Sequence, residues 1–291
     1  MAWLPKASYE YAPLLWLPSL LAGFDPRVRA ERRLVFVSAE VFQASLDETG
    51  YQAADPKYPK DAFVFAGYVG KEADWGKFIQ DWEPKLKNDP YLADAKTLKR
   101  LFRRRGRWSD PRSVDLMRMV TSNSGLWSVR WTLPYCEYRE GILARAADDG
   151  EKGLYFFAWL AVLARLLSEI REVPHATLDL FYDENIVEEP KIQSGYEAFY
   201  QWLKRNRPEV AAMLPRRPTS RNDRDFWPLR AADALAWNTH RHFIRNAIGK
   251  RFSNPLWEVL NSGQKVIDDH WTAEDIRDVL IPGRLPDPKR R

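Results

Sequence analysis

Between Leu126 and Asp183 the apolar periodicity changes twice, and that succession limits the fold more than any other feature of the chain. Leu126–Leu133 alternates, with Trp127, Val129, Trp131 and Leu133 on one face and Ser128, Arg130 and Thr132 on the other, the period-two signature of a strand. Gly153–Glu172 is then a strongly apolar helix, long enough to be a central crossover. Ala176–Asp183, ATLDLFYD, returns to a strand. Upstream, Val35–Leu46 and Ala62–Val69 read as an antiparallel pair joined by a long loop that carries Pro56 and Pro59. Trp75, Phe78, Ile79, Trp82 and Leu86 form one helical stripe, which Pro84 is expected to shorten or kink. Pro111–Val120, with Ser109 as cap, and Tyr196–Arg205 read as helices. A disorder-prone loop, Pro215–Asp225, precedes a last helix from about Phe226 to Gly249. Strands first, then strand–helix–strand–helix units, are expected to give an α/β fold whose mixed β-sheet is flanked by helices. The same order argues against a helical bundle or an all-β domain.

The chain has 291 residues, 45% of them apolar and 29% charged, which is enough to bury a real core and excludes disorder, collagen and coiled coil. Residues 1–34 look like an N-terminal arm, residues 35–250 like the folded domain, and residues 251–291 like a C-terminal helical extension ending in a basic tail. The single cysteine, Cys136, excludes an intramolecular disulfide and a cysteine-cluster zinc site, and is expected to be a buried, inert thiol. A reducing, cytoplasmic setting follows as the expectation. His240 and His242 stand two apart, not the four that a helical metal pair needs. Ala12–Phe24 is short and holds Pro13 and Pro18, so it reads as a buried or docking segment and not as a signal peptide. No stretch is expected to span a bilayer.

Basic residues exceed acidic ones by only five, yet they are unevenly placed. Arg103, Arg104, Arg105 and Arg107 lie between Phe102 and Trp108, and Arg216, Arg217, Arg221 and Arg224 follow in a Pro-rich stretch. Such clusters are commonly solvated faces. Beside aromatic rings they are also what binds a phosphate backbone with stacking, which makes Arg103, Arg104, Arg105 and Arg107 the candidate nucleic-acid contacts.

Two Asp-Glu pairs end apolar strands, Asp47-Glu48 and Asp183-Glu184. In an α/β sheet such strand ends face the crevice where ligands bind, although acidic residues also end strands simply as turn formers. Asp233 falls within the apolar stripe Leu229, Ala232, Ala236, Trp237 and His240 of the last long helix. A carboxylate on a buried face is costly unless it is paired or holds a cation. Its small neighbours Ala231, Ala232 and Ala234 would let another element approach closely. A buried Asp–Arg pair and a metal ligand or general base both fit this position. Carboxylates from two strand ends and a helix are the oxygen-donor set that Mg²⁺ or Mn²⁺ needs, and a cation would relieve their mutual repulsion.

LDETG after a strand, then AFVFAGYV, then a WGKFIQDWEPKL helix resembles the start of the domain-of-unknown-function 3800 family. The likeness resumes at LDLFYDEN and PLRAADALAW, and covers roughly residues 35–242. It implies an RNase H-like fold and a metal-dependent nuclease activity. It also implies Asp47, Asp183 and Asp233 as metal ligands and Glu48 as a further catalytic carboxylate. In an RNase H-like sheet the second acidic ligand comes from the strand beside the first. If Leu126–Leu133 takes that place, Glu137 just past its end completes the site; otherwise Asp183 does.

Two functions therefore stand side by side. One is a metal-dependent nuclease with Mg²⁺ or Mn²⁺ as cofactor and DNA or RNA as substrate, in which His240 would either assist proton transfer or be a hydrogen-bonded core histidine. The other is a non-catalytic nucleic-acid-binding or protein-interaction module on the same fold. No membrane association is expected, and the arm Ala12–Phe24 leaves room for a protein partner or a homo-oligomer. A serine-hydrolase elbow and a Gly-rich phosphate loop are both missing from the sequence, because AGYVGK lacks the required spacing.

Overall fold

The computed structural model describes residues 40–50, 61–93, 111–143, 150–184, 188–223, 225–247, 249, 255–262 and 265–280. Six strands form one mixed sheet in the order β5-β4-β1-β2-β3-β6. They are β1 Val41–Thr49, β2 Ala62–Lys71, β3 Trp127–Pro134, β4 Thr177–Asp183, β5 Thr219–Arg221 and β6 Val266–His270. β1, β2 and β3 pair antiparallel in sequence, whereas β4 runs parallel to β1, β5 parallel to β4 and β6 parallel to β3.

The helices are α1 Glu72–Asn88, α2 Pro90–Ala93, α3 Pro111–Thr121, α4 Tyr135–Leu143 and α5 Gly150–Ile170. They continue with α6 Glu189–Asn206, α7 Pro208–Ala211, α8 Trp227–Ala247, α9 Pro255–Leu260 and α10 Ala273–Leu280. The expected α/β class with a mixed sheet between helices is what the described residues show.

Side-chain parity divides the core into two layers. Phe42, Ala44 and Leu46 of β1, Phe63 and Phe65 of β2, Trp131 of β3 and Leu180 and Tyr182 of β4 pack with α5 and α6. The opposite face presents Val64, Ala66 and Tyr68 to α1, α3, α8 and α9. Each fully buried large ring stabilises the fold by about 1.5–3 kcal/mol relative to exposure, and Trp75, Trp82, Trp131 and Trp159 are all of this kind. Three of these indoles also tie neighbouring elements together. Trp75 Nε1 donates to the Gln43 carbonyl at 2.8 Å, Trp82 Nε1 to the Leu116 carbonyl at 2.9 Å, and Trp159 Nε1 to the Ile192 carbonyl at 3.1 Å.

Several sequence expectations are corrected. Helix α1 continues through Pro84, because its buried stripe of Trp75, Phe78, Trp82 and Leu86 fixes both sides of the proline. The segment Pro215–Asp225 is not a free loop: it holds edge strand β5, whose few residues carry no apolar alternation and are held by pairing to β4. The segment after residue 250 is not only helical, since β6 joins the sheet beside β3. Cys136 is exposed, one position from the buried Tyr135 on amphipathic helix α4. Gly153–Ile170 is long and apolar enough to cross a bilayer, yet 78% of it is buried inside the protein, packed with the sheet and α6.

Both faces of β3 are buried. Arg130 is 1% exposed, and its Nη1 donates to Asn261 Oδ1 at 2.6 Å and its Nη2 to the Leu260 carbonyl at 2.7 Å. Its guanidinium lies 5.0 Å from the Trp257 ring centroid. The polar face of the strand is therefore the seat of α9 and not a solvated surface. Burial pushes the Arg130 guanidinium down from its ordinary value, with Asp268 and Tyr68 opposing that shift.

Candidate carboxylate site at the ends of β1 and β4

The site follows from strand register. Leu46 of β1 is the parallel partner of Tyr182 of β4, and both side chains enter the α5–α6 layer. The next residues, Asp47 and Asp183, therefore turn together to the α8 side of the sheet. There α8 approaches closely, because Ala231, Ala232, Ala234 and Ala236 leave little between its backbone and the strands. That packing delivers Asp233, 4% exposed, to Asp47, 5% exposed.

The electrostatics record the convergence. Burial, then the charge of Asp233, then those of Glu48 and Asp183, hold the Asp47 carboxyl well above the usual carboxylate range, and a hydrogen bond with Asp233 adds to this. Glu48 is pushed up to about 8, first by burial, then by the charge of Asp183, with Glu188 and Asp233 contributing. Its own backbone N–H opposes the rise. That N–H also donates to Asp47 Oδ1 at 2.9 Å. Glu48 Oε2 is sealed from solvent without a hydrogen-bond partner.

Neighbouring groups hold these carboxylates in place. The Asp223 backbone N–H donates to Asp183 Oδ1 at 3.3 Å. Arg230, buried at the start of α8 and 4.4 Å from the Trp227 ring centroid, donates through Nε to the Asp223 carbonyl at 2.7 Å. A cation thus supports Asp183 through the Asp223 backbone. Gly50 ends β1 at φ +88°, where a Cβ would lie 2.0 Å from the Ala62 carbonyl oxygen, so the turn after Asp47-Glu48 needs glycine.

Of the sequence candidates, Asp47, Glu48, Asp183 and Asp233 are brought together. Glu137 is not with them: its Oε2 accepts the first N–H of α10, that of Ala273, at 2.8 Å. This follows from the strand order, in which β4 and not β3 lies beside β1. His240 is half-buried and bonds through Nε2 to Asp61 Oδ1 at 2.5 Å. Arg103, Arg104, Arg105 and Arg107, Ser109, the N-terminal arm with Ala12–Phe24 and the basic tail lie outside the described residues.

Sequence reading missed Glu188, 4% exposed, which accepts from the Tyr155 hydroxyl at 3.2 Å and pairs with Lys191 at 3.5 Å. Its signal was present. Pro190 marks the first turn of a helix, which makes Glu188 the N-cap at the same rim of the sheet as Asp183.

The donor chemistry, carboxylate oxygens crowded in a buried place, suits a hard divalent cation. As placed, however, no group of three or more His, Cys, Asp or Glu among the described residues is arranged to hold a metal ion. Asp47 and Asp233 are close enough to hydrogen-bond, so their charges repel unless a proton or a cation relieves them. No family model, curated protein or solved structure matches the chain.

Proposed function

We propose that this chain is a metal-dependent phosphodiester hydrolase acting on nucleic acid, built on an RNase H-like sheet. The observation that carries the reading is the placement of Asp47 and Asp183 directly after the paired Leu46 and Tyr182 of parallel strands, with Asp233 buried against Asp47. Further support comes from the order of the sheet, in which the strand bearing Asp183 lies directly beside the strand bearing Asp47. The LDETG, LDLFYDEN and PLRAADALAW segments, which resemble the domain-of-unknown-function 3800 family, fall on β1, β4 and α8.

In this reading Asp47, Asp183 and Asp233 would hold Mg²⁺ or Mn²⁺, and Glu48 would hold a water or a second ion. When bound, the cation supplies Lewis-acid stabilisation of the phosphoryl oxygens and a water of lowered pKa. The chain's own groups do the rest. The Asp223 N–H fixes one lone-pair direction of Asp183. Tyr155 and Lys191 hold Glu188 behind Glu48, keeping a second negative charge near it. The alanine face of α8 excludes water around Asp47, which strengthens every charge interaction there.

The test is cleavage of labelled single- and double-stranded DNA and RNA with Mg²⁺, Mn²⁺ or chelator. Metal-dependent cutting by wild type that disappears in folded Asp47→Ala and Asp233→Ala variants supports the hydrolase. Unchanged cutting in Asp47→Ala removes the assignment. A second reading, a binding module whose acids are structural, is favoured by the direct hydrogen bond between Asp47 and Asp233. Salt-sensitive binding without cutting, retained by both variants, would select it.

A further inference from the structure

A pocket of crowded carboxylates repels the phosphates it is meant to cut, so a substrate strand needs cationic protein groups close by. The register supplies one. Arg221 on β5 is the parallel partner of Asp183 on β4, so the two share a side of the sheet at about 4.8 Å strand spacing. β5 is the edge strand, and no further strand of the described sheet lies beyond it.

Arg216, Arg217 and Arg221 are all exposed. Among the described residues their side chains make no ion pair or hydrogen bond, whereas Arg112, Arg118 and Arg277 have acidic partners. The backbone that displays them is held at several points. The Met213 carbonyl accepts from Leu178 N–H at 2.8 Å, the Pro215 carbonyl from the Tyr196 hydroxyl at 2.5 Å, and the Arg221 carbonyl from Glu184 N–H at 2.9 Å. The Asp223 carbonyl is held by Arg230. Cations that have no partner among the described residues, displayed on a fixed backbone, bind with less ordering cost than cations on a loose loop.

We propose that Arg221, with Arg216 and Arg217, forms a phosphate-binding edge along which the backbone of a nucleic-acid strand lies as it enters the carboxylate pocket. The position of the reacting phosphate rests on the hydrolase reading; the edge itself is tested by binding alone. Its contacts are to phosphate, so they are blind to base sequence.

The experiment measures binding of fluorescent single strands and duplexes of DNA and RNA in chelator over a series of salt concentrations. It compares wild type with Arg221→Ala, Arg221→Lys, the Arg216→Ala/Arg217→Ala pair, and Arg118→Ala as a distant control. For Arg221→Ala the expectation is uniformly weaker binding across sequences and a log–log salt slope lower by about 1, the loss of one phosphate contact. Arg221→Lys is expected to restore the slope, and Arg118→Ala to leave it unchanged. Identical slopes in wild type, Arg221→Ala and the double variant overturn the edge, as does wild type that binds no strand at low salt. Asp47→Asn in the same assay separates the two readings. If it binds through Arg221 and wild type never cuts in Mg²⁺, the edge stands and the hydrolase falls. If wild type cuts but Arg221→Ala changes neither slope nor KM, the edge falls and the hydrolase stands.

Discussion

Asp47 and Asp183 are lateral neighbours on parallel strands: each follows one member of the paired Leu46 and Tyr182, and each turns to the side of the sheet covered by α8. Two acids placed this way, with Asp233 packed on Asp47, cannot all ionise cheaply without a compensating cation. The fold thus carries an electrostatic load at one rim of its sheet.

That load makes stability depend on pH in a defined direction. Glu48 rises from its ordinary 4.5 to about 8 in the folded protein, and Asp47 is also raised. The folded state binds these protons more tightly than the unfolded chain does. Raising pH from about 4.5 through about 8 therefore progressively destabilises the metal-free protein, and the loss levels off above the folded value. Unfolding temperature measured in chelator is expected to fall across this window, and to fall less in Glu48→Gln and Asp47→Asn. A flat or rising profile in wild type contradicts the buried-acid electrostatics.

Adding Mg²⁺ at pH 8 should reverse this destabilisation. A cation that binds only the folded state raises the unfolding temperature with concentration. Wild type is expected to gain stability, and Asp47→Asn and Asp233→Asn to gain none. A shift of equal size in all three would assign the ion to some other place on the protein.

The choice between Asp183 and Glu137 was not legible in the sequence, and the reason is physical. Whether β3 or β4 lies beside β1 depends on long-range pairing, which local periodicity does not encode. The strong elements were legible, because β2 with Phe63 and Phe65 and α1 with Trp75, Phe78 and Trp82 bury what their patterns say they must. Edge strands β5 and β6 were not: in VIDDH only Ile267 is buried, and TSR has no buried residue. Asp233 was legible as an acid in an apolar stripe. Glu188 was missed although Pro190 marked the helix start that it caps, because the helix was read as beginning only at Tyr196.

Glu137 and Asp183 should separate cleanly in mutants. Glu137 caps α10 together with the Thr272–Asp275 pair, in which Asp275 Oδ2 accepts from Thr272 N–H at 2.7 Å. Glu137→Ala is expected to cost about 1 kcal/mol of stability, the usual scale for a lost helix cap, with cleavage unchanged. Asp183→Asn is expected to leave stability equal or higher and to lose cleavage by more than about 100-fold, beyond the 10- to 100-fold typical of groups that only orient metal ligands. Cleavage lost in Glu137→Ala but kept in Asp183→Asn would reverse the assignment.

Gly50 ties the geometry of the site to the backbone. Its φ of +88° is open to glycine, and an added Cβ would meet the Ala62 carbonyl oxygen at 2.0 Å and His240 Nε2 at 3.0 Å. The Tyr135 hydroxyl holds the Gly50 carbonyl at 2.6 Å, so the turn cannot swing outward without losing that bond. Gly50→Ala must therefore either strain in place, at about 1–3 kcal/mol, or shift the end of β1 that carries Glu48. Shifting moves the carboxylates relative to Asp183, and a displacement near 1 Å is enough to cost about 100-fold in rate. The expected outcome is a lowered unfolding temperature together with weakened Mg²⁺-dependent stabilisation at pH 8. A variant that loses stability while keeping the full Mg²⁺ response would show that the turn holds the fold without positioning the acids.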